Sequence, residues 1–277
     1  MRELAGLFGL ELSEEAVYEH RRESDPAEYA ARLLQATGTE WLLVDDGFPP
    51  PAESTTWDEL GELAGCEARP VLRIERIGEE LGDLDAVRAE VANARANGFA
   101  ALKTIAAYRG GLVDVGETVL AALEANDAAD RPLPVQVHAG FGDSDLFLPH
   151  ADPGYLKPLI ERFRETPFVL LHCYPFVREA GWLAHVYGNV FFDLSLTIPH
   201  ASRPAEALRE ALELAPVSKL LYASDAARTP ELYYIAAKWW REALAEVLPA
   251  ELEHAEAEEA GRLILRENAV ALYGLAA

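Results

Sequence analysis

Val135-Gln136-Val137-His138 and, 34 residues further on, Val169-Leu170-Leu171-His172 are the two stretches on which the fold turns. Each is a short, mainly apolar run that ends in an imidazole and gives way to loop residues. A run without strict polar alternation is how a strand reads when helices cover one face and a barrel interior covers the other. The two extend over Pro134–Gly140 and Phe168–Cys173, and five more such runs flank them: Trp41–Asp46, Pro70–Ile77, Ala101–Tyr108, Val190–Ser195 and Leu220–Ala226. Their starts lie 29, 31, 33, 34, 22 and 30 residues apart, the length of one strand, one helix and a return loop.

The segments between these runs carry helix punctuation. Asp25 precedes Pro26 as cap and first helical residue, and Gly38 follows as a stop. Asp83 opens a stretch whose Leu84, Val87, Val91 and Ala94 form an apolar stripe closed by Gly98. Asp152-Pro153 and Thr229-Pro230 repeat the signature ahead of Leu156/Leu159/Ile160/Phe163 and Leu232/Ile235/Trp239. Strict alternation of strand and helix leaves a closed barrel or an open doubly wound sheet. No Gly-x-Gly-x-x-Gly follows the first run, so the open nucleotide-binding sheet lacks its marker. The expectation is an α/β fold of TIM type, a (β/α) barrel with seven strands instead of eight. Residues 1–277 contain no linker or low-complexity tract and are expected to form one domain.

Composition narrows the partners. With 47 acidic against 24 basic residues the net charge is −23, which disfavours nucleic acid and anionic membranes. Acids such as Glu251, Glu253, Glu256, Glu258 and Glu259 read as solvated helix faces. Cys66 and Cys173 show no paired spacing and are expected to be reduced. No apolar stretch is long enough for a signal peptide or a membrane span, so a cytoplasmic protein is expected.

Four residues on different runs could share one chemistry, because a parallel barrel gathers the carboxyl ends of its strands at one mouth. His138 and His172 end neighbouring runs, and two neutral imidazoles there can share a zinc-like ion. Each alone would more often be a structural histidine. Asp225 ends the last run, where a carboxylate can ligate a metal or take a proton from its water; as a bland alternative it caps the next helix. Lys103 lies in Ala101-Leu102-Lys103-Thr104, an apolar setting that favours a neutral amine. A neutral amine can capture carbon dioxide as a carbamate, an anionic ligand with two oxygens. The alternative is an ion pair with Glu75 on the preceding run.

These residues resemble the metal-dependent amidohydrolases, in particular the branch found as the N-terminal domain of glutamine synthetase fusion proteins and as free-standing bacterial proteins. The likeness is carried by Lys103-Thr104-Ile105-Ala106-Ala107-Tyr108-Arg109, Val137-His138-Ala139-Gly140-Phe141-Gly142-Asp143, Leu171-His172-Cys173-Tyr174-Pro175-Phe176, Leu221-Tyr222-Ala223-Ser224-Asp225-Ala226 and the ending Asn268-Ala269-Val270-Ala271-Leu272-Tyr273-Gly274. The resemblance implies His138 and His172 as metal ligands, Asp225 as ligand and general base, and Lys103 at a position where some members carry a carbamylated lysine. It places Tyr108, Arg109, Tyr174 and Arg178 in loops that could hold substrate, with an arginine suited to a carboxylate. For Arg178 a surface salt bridge is the competing use. The cofactor implied is a divalent metal, zinc for preference. The partner is a small-molecule substrate, with homo-oligomerisation left open.

One family feature is missing. The first strand should end in His-x-His, and no such pair occurs. Met1 to Leu12 reads as a helix of the first crossover, so the chain is expected to start after that strand, in a natural frame that begins further upstream. The gap would leave facing edges on the first and last runs, to be covered by another chain, a rearranged N-terminus or distorted closure. Three functions follow: hydrolysis of an amide or ester by metal-activated water, non-oxidative decarboxylation on the same scaffold, or a catalytically silent barrel.

Overall fold

The computed structural model describes residues 1–45, 47 and 54–275. Seven parallel strands lie in chain order in one curled sheet: β1 (Trp41–Val44), β2 (Glu67–Arg73), β3 (Ala101–Thr104), β4 (Val135–Ala139), β5 (Phe168–His172), β6 (Val190–Asp193) and β7 (Leu220–Leu221). This is the architecture of a TIM-type barrel short of one strand. Helices fill every crossover, so the sheet's outer face is dry. Leu102, Val135, Val137, Phe168, Leu170 and Phe192 pack there against Val87, Val119, Leu183 and Trp240. The alternate residues Val71, Ala101, Val169, Leu171 and Leu221 face inward with Leu43 and Phe191.

All seven expected strands exist, but their carboxyl ends come earlier than the apolar runs suggest. The first ends at Val44, and Asp46 lies outside the described residues. The second stops at Arg73, because Ile74 and Ile77 are buried on one face of a helix, Ile74–Leu81. Glu75 is therefore a helix residue. The third yields to a short 3₁₀ turn, Ala106–Tyr108, and the last holds its ladder for only two residues. The caps fare better. Asp25 accepts from the amides of Ala27 and Glu28, and Asp83 from those of Asp85 and Ala86. Thr229 makes no side-chain cap, leaving Pro230 alone to open the helix Pro230–Glu251.

Among the described residues no strand pairs with the outer edge of β1 or β7. The covering comes from the C-terminal segment, which the sequence had not suggested. Ile264 O accepts from the Tyr222 amide at 3.0 Å, Asn268 Nδ2 donates to Leu220 O at 2.9 Å, and Arg266 pairs with Glu40 beside β1 at 2.7 Å. Ala269, Leu272, Tyr273 and Leu275 pack with the sheet's inward residues, and Gln136 donates to Tyr273 Oη at 3.1 Å. The N-terminal helices α1 (Arg2–Phe8), α2 (Glu14–Glu23) and α3 (Pro26–Gln35) are tied to the helix Pro230–Glu251. Glu3 pairs with Lys238 at 2.8 Å, and Tyr29 donates to the buried Glu231 at 3.0 Å. Among the described residues no helix is long and apolar enough to cross a membrane.

Candidate metal centre at the mouth of the barrel

Lys103 and His138 reach the mouth by plain alternation. Lys103 stands two residues beyond inward-facing Ala101, and His138 two beyond Gln136. His172 does not. Its ladder partner is Ala139, whose side chain packs on the outer face, so alternation would send it toward the helices. Left-handed backbone at His172 (φ 66°) and Cys173 (φ 64°) turns it back. Three hydrogen bonds hold that turn or its ring. Asp193 Oδ1 accepts the His172 amide at 2.8 Å, Thr197 Oγ1 donates to the His172 carbonyl at 2.6 Å, and Ser195 Oγ lies 2.6 Å from Nδ1.

The two rings end 4.5 Å apart, tilted by 58°, and His172 Nε2 is 3.8 Å from Asp225 Oδ2. Asp225 also has left-handed backbone (φ 47°). Burial, with the Lys103 charge as a further cause, pushes both imidazoles well below their usual range. They are therefore neutral at pH 7. The Nε2 atoms of His138 and His172 are buried and, among the described residues, have no hydrogen-bond partner. Asp225 is two-fifths open to solvent, yet lost hydration still raises its carboxyl pKa, while Lys103 and His138 pull it down.

Gly142 shapes the space in front of these atoms. A Cβ at that position would sit 2.1 Å from Tyr108 Oη and 2.9 Å from His138 Nε2. Tyr108 itself stacks obliquely on His138 at 4.7 Å and accepts the Asp143 amide at 3.0 Å. Among the described residues, no three His, Cys, Asp or Glu side chains are grouped closely enough to hold a metal unaided. Lys103 supplies the missing donor in kind. It is 6% exposed and forms no ion pair among the described residues. Glu75, the alternative partner, instead accepts from Thr104 Oγ1 and from the Ile105 amide. Two imidazole nitrogens and a buried lysine without partners among the described residues, a carboxylate and a space kept clear by a glycine fit a divalent ion.

The loop residues divide. Tyr108 belongs to this site, and Tyr174 stands 53% exposed after β5. Arg109 is engaged with Glu79 at 2.9 Å. Arg178 pairs at the surface with Glu213 at 2.9 Å and Glu210 at 3.5 Å, the salt-bridge use that competes with substrate binding. Asp193 and Ser195 were given no site role from the sequence, and Gly142 only a place in the family-like motif. A polar Asp-x-Ser at the end of the apolar run Val190–Phe192 was the available signal.

Residues 81–275 match the amidohydrolase family Amidohydro_2, and the chain belongs to that family. It is 38% identical to protein fluG of Emericella nidulans over 161 residues, 55% of this chain and 19% of that protein, so it spans only a small part of that relative. A solved protein from Lactobacillus casei ATCC 334, described as a candidate metal-dependent hydrolase, superposes with a TM-score of 0.83 at 29% identity, covering 98% of this chain and 83% of the other. The 5-carboxyvanillate decarboxylase of Sphingomonas paucimobilis shares the fold, at TM-score 0.51 and 15% identity over 79% of this chain and 70% of its own.

Proposed function

We propose that this chain is a metal-dependent hydrolase acting on an amide or ester bond of a small molecule. His138, His172 and carbamylated Lys103 would hold one divalent ion, zinc by preference, with Asp225 as a further ligand and the general base. The carrying observation is the pair of buried, unpartnered Nε2 atoms standing side by side with Asp225. A bound ion of this kind makes water acidic and polarises a carbonyl.

The remaining work falls to side chains of this protein. Neutral imidazoles offer lone pairs without first losing a proton. Asp225, open to solvent on one side and with a raised pKa, would take a proton from the attacking water and return it to the leaving group. Tyr108 accepts from the Asp143 amide, which leaves its own proton for a substrate oxygen. Tyr174 and Arg109, at the rim, are the other substrate contacts in this reading. The acidic surface and two free thiols support a cytoplasmic enzyme for small molecules over a nucleic-acid or membrane protein.

Turnover on a panel of amides and esters, before and after chelation and with bicarbonate added, tests the reading. Activity should need both metal and bicarbonate, and should disappear in His138→Ala and His172→Ala. Asp225→Asn should lower it about 10²–10⁴-fold. Release of carbon dioxide together with the protonated remainder of a carboxylic acid, and no amine or alcohol, would turn the assignment to decarboxylation, and turnover indifferent to chelation would refute it.

A further inference from the structure

Asp193 Oδ1 accepts the backbone amides of His172 at 2.8 Å and Ser195 at 2.9 Å. An oxygen already receiving two N–H groups carries no proton of its own. Ser195 Oγ lies 2.7 Å from that same oxygen, so its hydroxyl must donate there. A serine has one proton to give. Across the 2.6 Å contact with His172 Nδ1, Ser195 Oγ can therefore only accept, and Nδ1 must carry the hydrogen. The same result holds whether Asp193 is charged or neutral, because any proton it bears would sit on Oδ2.

We propose that Ser195, oriented by Asp193, is a positioning residue that locks His172 in the Nδ1–H tautomer and keeps the Nε2 lone pair turned toward His138 and Asp225. The purpose of the lock rests on the metal-binding reading above; the proton assignment does not. A purely structural role is separable. Asp193 already holds the left-handed backbone of His172 through its amide, and Thr197 holds the carbonyl, so the Ser195 hydroxyl is not needed for that turn. What it adds is the direction of one proton. The usual effect of such a partner on a ligating histidine is to fix the ring and raise metal affinity.

The test uses metal-free protein labelled with ¹⁵N in histidine, read by long-range ¹H–¹⁵N spectra, followed by titration with zinc chloride. In the unmodified chain His172 should show a protonated Nδ1 and a bare Nε2. Ser195→Ala should mix or reverse the tautomers and weaken zinc binding about 10–100-fold. Ser195→Thr, which keeps the hydroxyl, should restore both, and Ser195→Cys, a weak donor and weak acceptor of similar size, should behave like alanine. A bare Nδ1 in the unmodified chain overturns the proposal, as does Ser195→Ala with unchanged tautomer and zinc affinity. If Nδ1 is protonated but zinc does not bind, the lock stands and the metal-enzyme reading falls.

Discussion

Gly142 carries the sharpest prediction at the scale of single residues. A methyl group there would press on Tyr108 Oη and His138 Nε2 together. Gly142→Ala should therefore weaken zinc binding on the order of tenfold or more, with only a small change in melting temperature. Unchanged zinc affinity by calorimetry would show that this space is not the site. Arg178→Ala should alter neither melting temperature nor zinc affinity, since its partners Glu210 and Glu213 are surface carboxylates. The histidines also set a pH dependence. In the unfolded chain they protonate near their ordinary value of about 6.5, whereas folding holds them well below it. The unfolded state thus binds more protons on acidification, and metal-free protein should lose stability as pH falls below about 6.5. Asp193 acts in the opposite sense. Its folded pKa is held up to about 6 by burial, so its contribution is present in acid and lost as pH rises through that value. Asp225 and Glu75, whose carboxyls burial also raises, act in the same sense as Asp193, and the prediction is that the two imidazoles outweigh all three. A melting temperature that climbs between about pH 7 and about pH 5.5 would contradict this.

At the scale of elements, the strand ends decide the chemistry, and they are where sequence patterns say least. Apolar character continues past Arg73 because Ile74 and Ile77 belong to the next helix, and a short apolar run does not reveal which of two periods it follows. His172 makes the point more strongly. Its type and place at the end of β5 were legible in the sequence, but a strand's alternation puts it on the wrong face. Only consecutive left-handed residues, fastened by Asp193 and Thr197, bring it to the mouth. Those fastenings come from β6 and the turn beyond it, more than 20 residues away, and no local pattern announces them. The loop after β4 depends on a similar device. Gly140 has φ 73°, and a Cβ there would lie 2.3 Å from the Tyr174 carbonyl, which accepts the Phe141 amide at 2.6 Å. Gly140→Ala should cost more than about 1 kcal/mol in denaturant unfolding. A neutral result would mean the β4 and β5 loops are not coupled as described.

The whole molecule is a barrel that lacks one strand's worth of hydrogen bonding and compensates with its C-terminal segment. Strand count, order and parallel sense were readable from βα spacing, because each crossover must bury a helix on the sheet before the next strand begins. The compensation was not readable, since Asn268, Tyr273 and Leu275 act through contacts with β7, Gln136 and the sheet's inward residues, all distant in the chain. Tyr273→Ala should open a cavity among inward residues and cost roughly 3 kcal/mol or more. A smaller loss would mean that segment is not part of the core. The same inward face carries the site, with Lys103 and His138 above Ala101 and Gln136, so the claim about the fold and the claim about the metal meet there. The most direct check is a zinc titration of the chelator-stripped protein in bicarbonate buffer, alongside His138→Ala, His172→Ala and Lys103→Met. The account predicts saturable binding of one ion per chain, lost in each histidine variant and reduced in the lysine variant. Absence of binding by the unmodified protein, or equal binding by all four, would contradict it.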